Sequence, residues 1–147
     1  MKKKILMGLP IAILLGVIIA QIFPPASVGV PIDSQMDISA DPTVPAAVAS
    51  LLKKGCYDCH SNEPRYPSYA SIGAVKYYLN NHIKGGNKHV NFSVWNEYSA
   101  KEKIHLKEEI CEVLEEGRMP FRSYSLLHQE ARLTAAQEQQ ICAWVNQ

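Results

Sequence analysis

Three residues in one short run, Cys56, Cys59 and His60, constrain this chain more than any other feature of its sequence. They form the pattern C-x-x-C-H, the attachment signal for a covalently bound c-type haem. The spacing has a chemical reason, because two intervening residues let one tight turn present both thiols to the vinyl groups on one edge of the macrocycle. The next residue then directs its imidazole at the iron. We therefore predict Cys56 and Cys59 as thioether anchors and His60 as an axial ligand of one covalent haem c.

Three other uses of a C-x-x-C pair fit the sequence less well. A thioredoxin-like redox pair lies beside a βαβ pattern, whereas the segments around this pair read as helices and turns. A zinc site needs a second closely spaced ligand pair. The remaining cysteines, Cys111 and Cys142, are far apart and have no partner at ligand spacing. A structural disulfide between Cys56 and Cys59 would leave His60 unexplained.

The overall charge gives no sign of nucleic-acid binding. The chain has 15 basic and 14 acidic residues, and removing Lys2, Lys3 and Lys4 leaves 12 basic against 14 acidic, or about −2. Basic residues are not interleaved with aromatic residues in any patch. We therefore expect no nucleic-acid partner.

The first 23 residues have the pattern of a membrane segment. Three lysines are followed by an apolar run from Ile5 to Phe23, 19 residues that would span about 28 Å as a helix. A hydrocarbon core is about 30 Å thick, and a cleaved signal peptide usually has a shorter apolar region and a small-x-small site. We predict an uncleaved anchor, with the lysines inside and the rest on the periplasmic side of the inner membrane. Cleavage near Ser27-Val28-Gly29 is the alternative and would give a soluble periplasmic protein.

Beyond the anchor, the composition predicts a linker over residues 24–42 and an all-α haem domain over residues 43–147. The linker is rich in proline, serine and aspartate and would hold the domain off the membrane. Apolar residues in the domain recur at helical intervals, and no segment shows the alternating pattern of a strand. Four helices are predicted: Thr43–Gly55, Ile72–Lys84 ended by Gly85-Gly86, Ser99–Gly117 opened by a capping box, and a last helix opened by a second capping box at Thr134–Gln137.

The predicted helices have specific buried faces. We expect Val75, Tyr78, Leu79 and His82 to form the buried stripe of the second helix. The third helix would bury Ile104, Ile110, Val113 and Leu114, and the last would bury Ile141, Trp144 and Val145.

Met119 is the best candidate for a second axial ligand. It lies in Gly117-Arg118-Met119-Pro120, just past a helix, where Pro120 disfavours helical geometry at the residue before it. An extended residue on an ordered loop can project its thioether across a flat cofactor. A methionine that fills a gap in the core is the alternative. His82 is the second candidate, since helical spacing places it beside Tyr78 and Leu79.

With these residues the chain resembles a known family. The matching pieces are Cys56-Tyr-Asp-Cys-His60, Tyr66-Pro-Ser-Tyr69, Gly117-Arg-Met-Pro120, Ser123-Tyr124 and Leu133-Thr134. Together they resemble the bacterial haem-binding domain family of small exported proteins, and more broadly the class I c-type cytochromes. The resemblance implies a cytochrome c-like fold with one haem held by Cys56, Cys59, His60 and Met119.

The function expected from these residues is that of a one-electron carrier, not an enzyme. Ligation by His60 and Met119 would fill both axial positions of the iron. The expected partner is a redox protein that is itself membrane-bound. A haem-based ligand sensor and a cytochrome subunit of a larger respiratory complex are the alternatives.

Several other side chains are open to two interpretations. Arg118 or Arg65 would pair with haem propionates, although a solvated surface charge is the simpler interpretation. Aromatic residues of a haem pocket would include Trp95, Phe92, Tyr66 and Phe121, each of which also suits a plain core. Cys111 and Cys142 would either form a disulfide in an oxidising compartment or remain buried thiols.

Overall fold

Seven α-helices and four short 3₁₀ turns make up the part of the chain described by the computed structural model. The backbone is described for residues 2–145 and the side chains for residues 8–145. The helices are α1 (Lys2–Ile22), α2 (Ala46–Gly55), α3 (Tyr57–His60), α4 (Gly73–His89), α5 (Ala100–Glu115), α6 (Arg122–Leu127) and α7 (Ala135–Val145). No strand occurs among residues 2–145, so the predicted all-α fold class is confirmed.

Helix α1 projects an apolar surface and contacts the rest of the chain at its end. Its side chains from Leu9 to Ile22 are mostly exposed, and Gln21 accepts a hydrogen bond from the Gly73 backbone N–H at 3.0 Å. No helix within the described residues combines the length and apolar character needed to cross a membrane. The predicted basic start, Lys2 to Lys4, lies outside the residues whose side chains are described, and the membrane segment stays a prediction.

Residues 24–42, which were predicted as a linker, pack on the domain. The Asn80 side-chain amide donates to the carbonyl of Ala26 at 2.8 Å, and the Val28 N–H donates to the Tyr66 hydroxyl at 2.9 Å. Further along, Ile38 is fully buried in the core. Composition missed these contacts because their partners, Tyr66 and Asn80, are distant in sequence.

The core is one apolar cluster in which α2, α5 and α7 meet the turn Phe92–Glu97. Its most deeply buried members are Ile38, Val48, Leu52, Phe92, Trp95, Ile141 and Trp144. The ring centroids of Trp95 and Trp144 are 6.0 Å apart. The predicted burial of Ile110, Leu114, Ile141 and Trp144 is confirmed, whereas Ile104 is 60% exposed and Leu106 takes the buried position.

The buried carboxylate of Asp41 organises one edge of this core. Its oxygens accept hydrogen bonds from the indole N–H of Trp95 at 3.1 Å, from Lys103 Nζ at 2.8 Å and from the Thr43 hydroxyl at 2.7 Å. Burial alone would raise the pKa of Asp41, but the hydrogen bonds from Lys103, Thr43 and Trp95 outweigh burial and hold that pKa well below its usual range. The ionised form is therefore the one that the fold stabilises.

We expect Asp41→Ala to lower the free energy of unfolding by about 2–4 kcal/mol at pH 7, because it leaves the Trp95 and Lys103 donors without their acceptor. Since the pKa is depressed in the folded state, the stabilisation is fully present above the ordinary aspartate pKa of about 3.9 and is lost progressively as the pH falls from there toward the lowered pKa of the folded state. Urea unfolding at pH 7 and at pH 3 measures both effects. The exposed Asp33→Ala is the control, and equal losses in the two variants would contradict the prediction.

Two helix starts follow their sequence signals. The Ser99 hydroxyl accepts from the Glu102 N–H while the Glu102 carboxylate accepts from the Ser99 N–H at 2.8 Å, so the predicted capping box of α5 is confirmed. Thr134 and Gln137 make the same reciprocal pair at the start of α7. Such signals are local, which is why the sequence alone identifies them.

Helix α4 departs from the prediction in both its end and its buried face. It continues through Gly85 and Gly86 to His89, so the predicted end at Lys84 is wrong. Its buried residues are Gly73, Asn80 and Ile83, whereas Tyr78, predicted to be buried, is 56% exposed. The cause is tertiary packing, because Asn80 turns inward to bind the chain at Ala26 and rotates the predicted stripe toward the surface.

A disulfide joins α5 to α7. Cys111 and Cys142, which the sequence left open as thiols or a disulfide, are bonded with a Cα–Cα distance of 5.1 Å. Carboxylate Glu115 lies near the two sulfurs, but bonded sulfurs are not thiolate ligands and the group does not make a metal site.

Candidate functional site

The predicted attachment motif, Cys56 to His60, lies at a sharp junction between α2 and α3. Cys56 ends α2 and also begins α3, and its carbonyl accepts from the N–H groups of Cys59 at 3.1 Å and His60 at 3.0 Å. One helical turn therefore carries both cysteines and the histidine. Gly55, which precedes the motif, lies against Leu133 and Ala131 and fixes the junction on the C-terminal part of the chain.

The motif opens into a cavity of about 550 Å³, a size typical of cofactor pockets. The structure brings all four predicted haem-binding residues, Cys56, Cys59, His60 and Met119, to its lining, together with His82. Apolar side chains supply much of the rest: Val90, Phe92, Leu106, Ile110, Val113, Leu114 and Phe121. These come from α4, α5 and the segments after them, so the cavity is enclosed by elements far apart in sequence.

His60 is oriented by a backbone carbonyl. Its Nδ1 lies 3.0 Å from the Val90 oxygen, which only accepts, so Nδ1 carries the proton and Nε2 keeps its lone pair. Burial lowers the pKa of His60, an effect partly offset by the carbonyls of Val90 and Gly86. A neutral imidazole with one nitrogen tied to a carbonyl is the form that binds a metal.

Cys56 and Cys59 are free thiols in an environment that suppresses thiolate. Burial raises the pKa of Cys56 to about 12 and that of Cys59 to about 11, with a further contribution from the neighbouring charges. Redox-active C-x-x-C motifs work by the opposite effect, a lowered pKa of the attacking cysteine. The surroundings of this pair therefore argue against thiol–disulfide exchange.

Two adjacent glycines of α4 form part of the cavity wall for different reasons. A Cβ on Gly86 would lie 2.5 Å from the Cys59 carbonyl oxygen and 3.3 Å from His60 Cε1. Glycine is thus what allows α4 to pack directly on the attachment motif. A Cβ on Gly85 would meet nothing within 4 Å, so that position leaves open space beside the cavity.

Met119 reaches the cavity from the loop between α5 and α6. The N–H groups of Arg118 and Met119 both donate to the Val113 carbonyl, at 2.9 and 3.2 Å, and Gly117 has a φ of 64°. A positive φ is a conformation that favours glycine, and it turns the chain back toward the cavity. Met119 is partly buried there.

His82 lines the same cavity from α4. Its Nδ1 lies 3.0 Å from the Tyr78 carbonyl, and its ring packs between Tyr78 and Phe121, at 4.1 and 5.6 Å between ring centroids. The structure therefore brings both candidate distal ligands to one site.

A hydrogen-bonded group around Asp58 was missing from the sequence prediction. Asp58, inside the attachment motif, accepts from Arg65 Nε at 2.9 Å and from the hydroxyl of Tyr124 on α6. The Tyr124 ring stacks on His128 with 4.2 Å between centroids. This group ties α6, and with it one end of the Met119 loop, to the motif. Tyr124 was visible in the sequence as part of the family resemblance, but the sequence does not show that its partner is Asp58.

The other predicted pocket residues divide into two groups. Phe92 and Phe121 line the cavity. Trp95 belongs to the core instead, and the Tyr66 hydroxyl accepts a hydrogen bond from the Val28 N–H. Arg118 lines the cavity but pairs with Glu112 and Glu116, and Arg65 pairs with Asp58 at a largely exposed position.

The residues fit a haem on their chemistry. Two thiols stand beside a neutral imidazole with a free Nε2, and a thioether and a second imidazole lie in the same largely apolar cavity. Cys56, Cys59 and His60 would hold the group on one side of the cavity, with Met119 or His82 as the further ligand.

Comparison with known proteins agrees with this fit. The sequence model of a family described as a haem-binding domain matches residues 15–147, which is most of the chain. No curated protein matches the chain, and no solved structure matches it. The predicted resemblance is thereby confirmed, and the protein belongs to the haem-binding domain family.

Proposed function

We propose that the protein is a monohaem c-type cytochrome that carries one electron at a time and is not an enzyme. The observation that carries the proposal is the meeting of Cys56, Cys59, His60 and Met119 at one cavity of about 550 Å³. A haem bound there supplies an iron that changes between the ferric and ferrous states. The chain supplies the covalent attachment, the ligands and an apolar enclosure.

The side chains have separate tasks in this proposal. Cys56 and Cys59 keep the cofactor from dissociating, and Val90 holds the His60 ring in the tautomer that binds iron. Met119 would be the further ligand of the iron, which would exclude a substrate and raise the potential relative to ligation by two histidines. Buried Leu106, Ile110 and Leu114 exclude water from the cavity wall.

The proposed carrier has two alternatives, a haem-based ligand sensor and a subunit of a larger respiratory complex. If Met119 leaves the iron readily, the same cavity would serve a haem-based ligand sensor. A subunit of a larger respiratory complex would keep the same ligands. The fixed bonds of Arg118 and Met119 to Val113 support a stable ligand and so favour the carrier.

We also propose that residues 1–23 anchor the protein at the outer face of the inner membrane, near a membrane-bound redox partner. The exposed apolar side chains of α1 support this location. The Cys111–Cys142 disulfide supports an oxidising compartment, because disulfides persist mainly in exported proteins.

Covalent attachment and location are tested together. We expect a haem stain on a denaturing gel to colour the band of this chain in the membrane fraction, and Cys56→Ala/Cys59→Ala to abolish the colour. The matched control, Cys111→Ala/Cys142→Ala, removes the other two sulfurs and should keep it. Extraction of all the haem by acidified organic solvent would disprove covalent attachment. Colour confined to the soluble fraction would disprove the anchor but not the attachment.

A further inference from the structure

Helix α4 carries positive charge and has no acidic residue of its own. Among its 17 residues are Lys76, Lys84 and Lys88 and two histidines, with no aspartate or glutamate. The facing helix α5 has five glutamates against three lysines in the sequence AKEKIHLKEEICEVLE. The cavity is thus bordered by one basic and one acidic helix.

Two of the three lysines of α4 are exposed. Lys84 and Lys88 are exposed, and no salt bridge among residues 8–145 involves either of them. By contrast, Lys76 of α4 lies over the Tyr66 ring at 5.5 Å, Lys103 of α5 is paired with Asp41 at 2.8 Å, and Lys107 of α5 lies over the Trp144 ring at 4.8 Å. The charges of Lys84 and Lys88 are therefore directed to solvent, where they act on an approaching molecule.

These lysines lie next to the cavity along the helix. Asn81, His82, Gly85, Gly86 and His89 line the cavity. Helical spacing places Lys84 and Lys88 in one row with the exposed Tyr77 and with Asn81, which itself lines the cavity. Tyr77 and Tyr78 are 51% and 56% exposed, and tyrosine is enriched in protein interfaces.

We propose that this face of α4, formed by Tyr77, Asn81, Lys84 and Lys88, is where a redox partner with an acidic surface docks. The inference rests on the proposed electron-carrier function. Complementary charge steers such a partner to α4, and Glu109 and Glu112 on the opposite border of the cavity repel it. Open space at Gly85 keeps the wall thin at the centre of this face. The partner would accept one electron from the ferrous iron, or donate one to the ferric iron.

Small redox reagents of opposite charge test the face without a known partner. The reduced full-length protein is mixed with hexacyanoferrate(III), an anion that takes one electron from the ferrous iron and becomes hexacyanoferrate(II). We expect Lys84→Glu to slow this oxidation by about threefold or more at low ionic strength, with the difference vanishing as salt rises. Lys101→Glu on α5 makes the same change in net charge and should have a smaller effect.

The cationic oxidant tris(phenanthroline)cobalt(III) separates docking from damage to the protein. Lys84→Glu should leave its rate unchanged or increase it, whereas a misfolded variant would react abnormally with both reagents. Equal effects of Lys84→Glu and Lys101→Glu would overturn the docking face and leave the carrier function standing. If neither reagent oxidises the wild-type haem, the carrier function fails and the docking face fails with it.

Discussion

Met119→Ala is expected to lower the reduction potential of the haem and to open its iron to carbon monoxide. The thioether favours the ferrous state, so its loss stabilises the ferric state. Axial ligands and their surroundings set haem potentials over about 0.8 V, and a fall on the order of 0.1 V or more is the expected size. The weak far-red charge-transfer band of a ferric thioether–iron bond should disappear. Optical spectra, a redox titration and carbon monoxide binding measure the three effects.

His82→Ala is the matched control, because His82 lines the same cavity and is a candidate for the same position. It should leave the far-red band and the potential nearly unchanged. If Met119→Ala leaves both unchanged and His82→Ala alters them, the second ligand is His82 and the coordination is by two histidines. If the unmutated ferrous protein already binds carbon monoxide readily, the sensor function replaces the carrier.

The site residues were predictable where their signal is local. The C-x-x-C-H spacing alone places Cys56, Cys59 and His60 on one helical turn, as the structure shows. The capping boxes at Ser99 and Thr134 were predictable for the same reason, since each uses residues only three apart. Met119 needed more than spacing, because its position depends on a loop that returns from the end of α5.

What the sequence could not show depends on contacts between distant residues. Gly85-Gly86 has the pattern of a helix end, yet α4 runs through both glycines because the helix packs on the attachment motif. The bond from Tyr124 to Asp58 joins residues 66 apart, and nothing near either residue identifies the other. The polar composition of residues 24–42 likewise concealed Ile38, a fully buried core residue.

The distant contacts change how the site is understood. The attachment motif is held from three sides: by Val90 at His60, by Tyr124 and Arg65 at Asp58, and by Gly86 at Cys59. Binding residues supported in this way lose little freedom when a cofactor binds. Of these three supports, the contact of Gly86 with Cys59 is the one that a single added methyl group would disturb.

Gly86→Ala is expected to destabilise the protein and to impair haem attachment, whereas Gly85→Ala, one residue earlier, should do neither. The Gly86 methyl would stand 2.5 Å from the Cys59 oxygen and 3.2 Å from its carbonyl carbon, so α4 or the motif must move. Overpacking of this kind costs about 1–3 kcal/mol, more than the roughly 1 kcal/mol that alanine gains over glycine within a helix.

At Gly85 only the stabilisation from the higher helix propensity of alanine applies, because no described atom outside the helix lies within 4 Å of the new methyl. Gly85→Ala should therefore keep or slightly raise the free energy of unfolding and keep full haem staining. Thermal unfolding and the haem content of the purified chains compare the two variants. Equal behaviour would show that α4 does not rest on Cys59 through Gly86. If both variants lose haem while their stability is unchanged, the cofactor itself contacts both glycines. No described chain atom outside the helix lies near the methyl at position 85, so only a group inside the cavity would meet it.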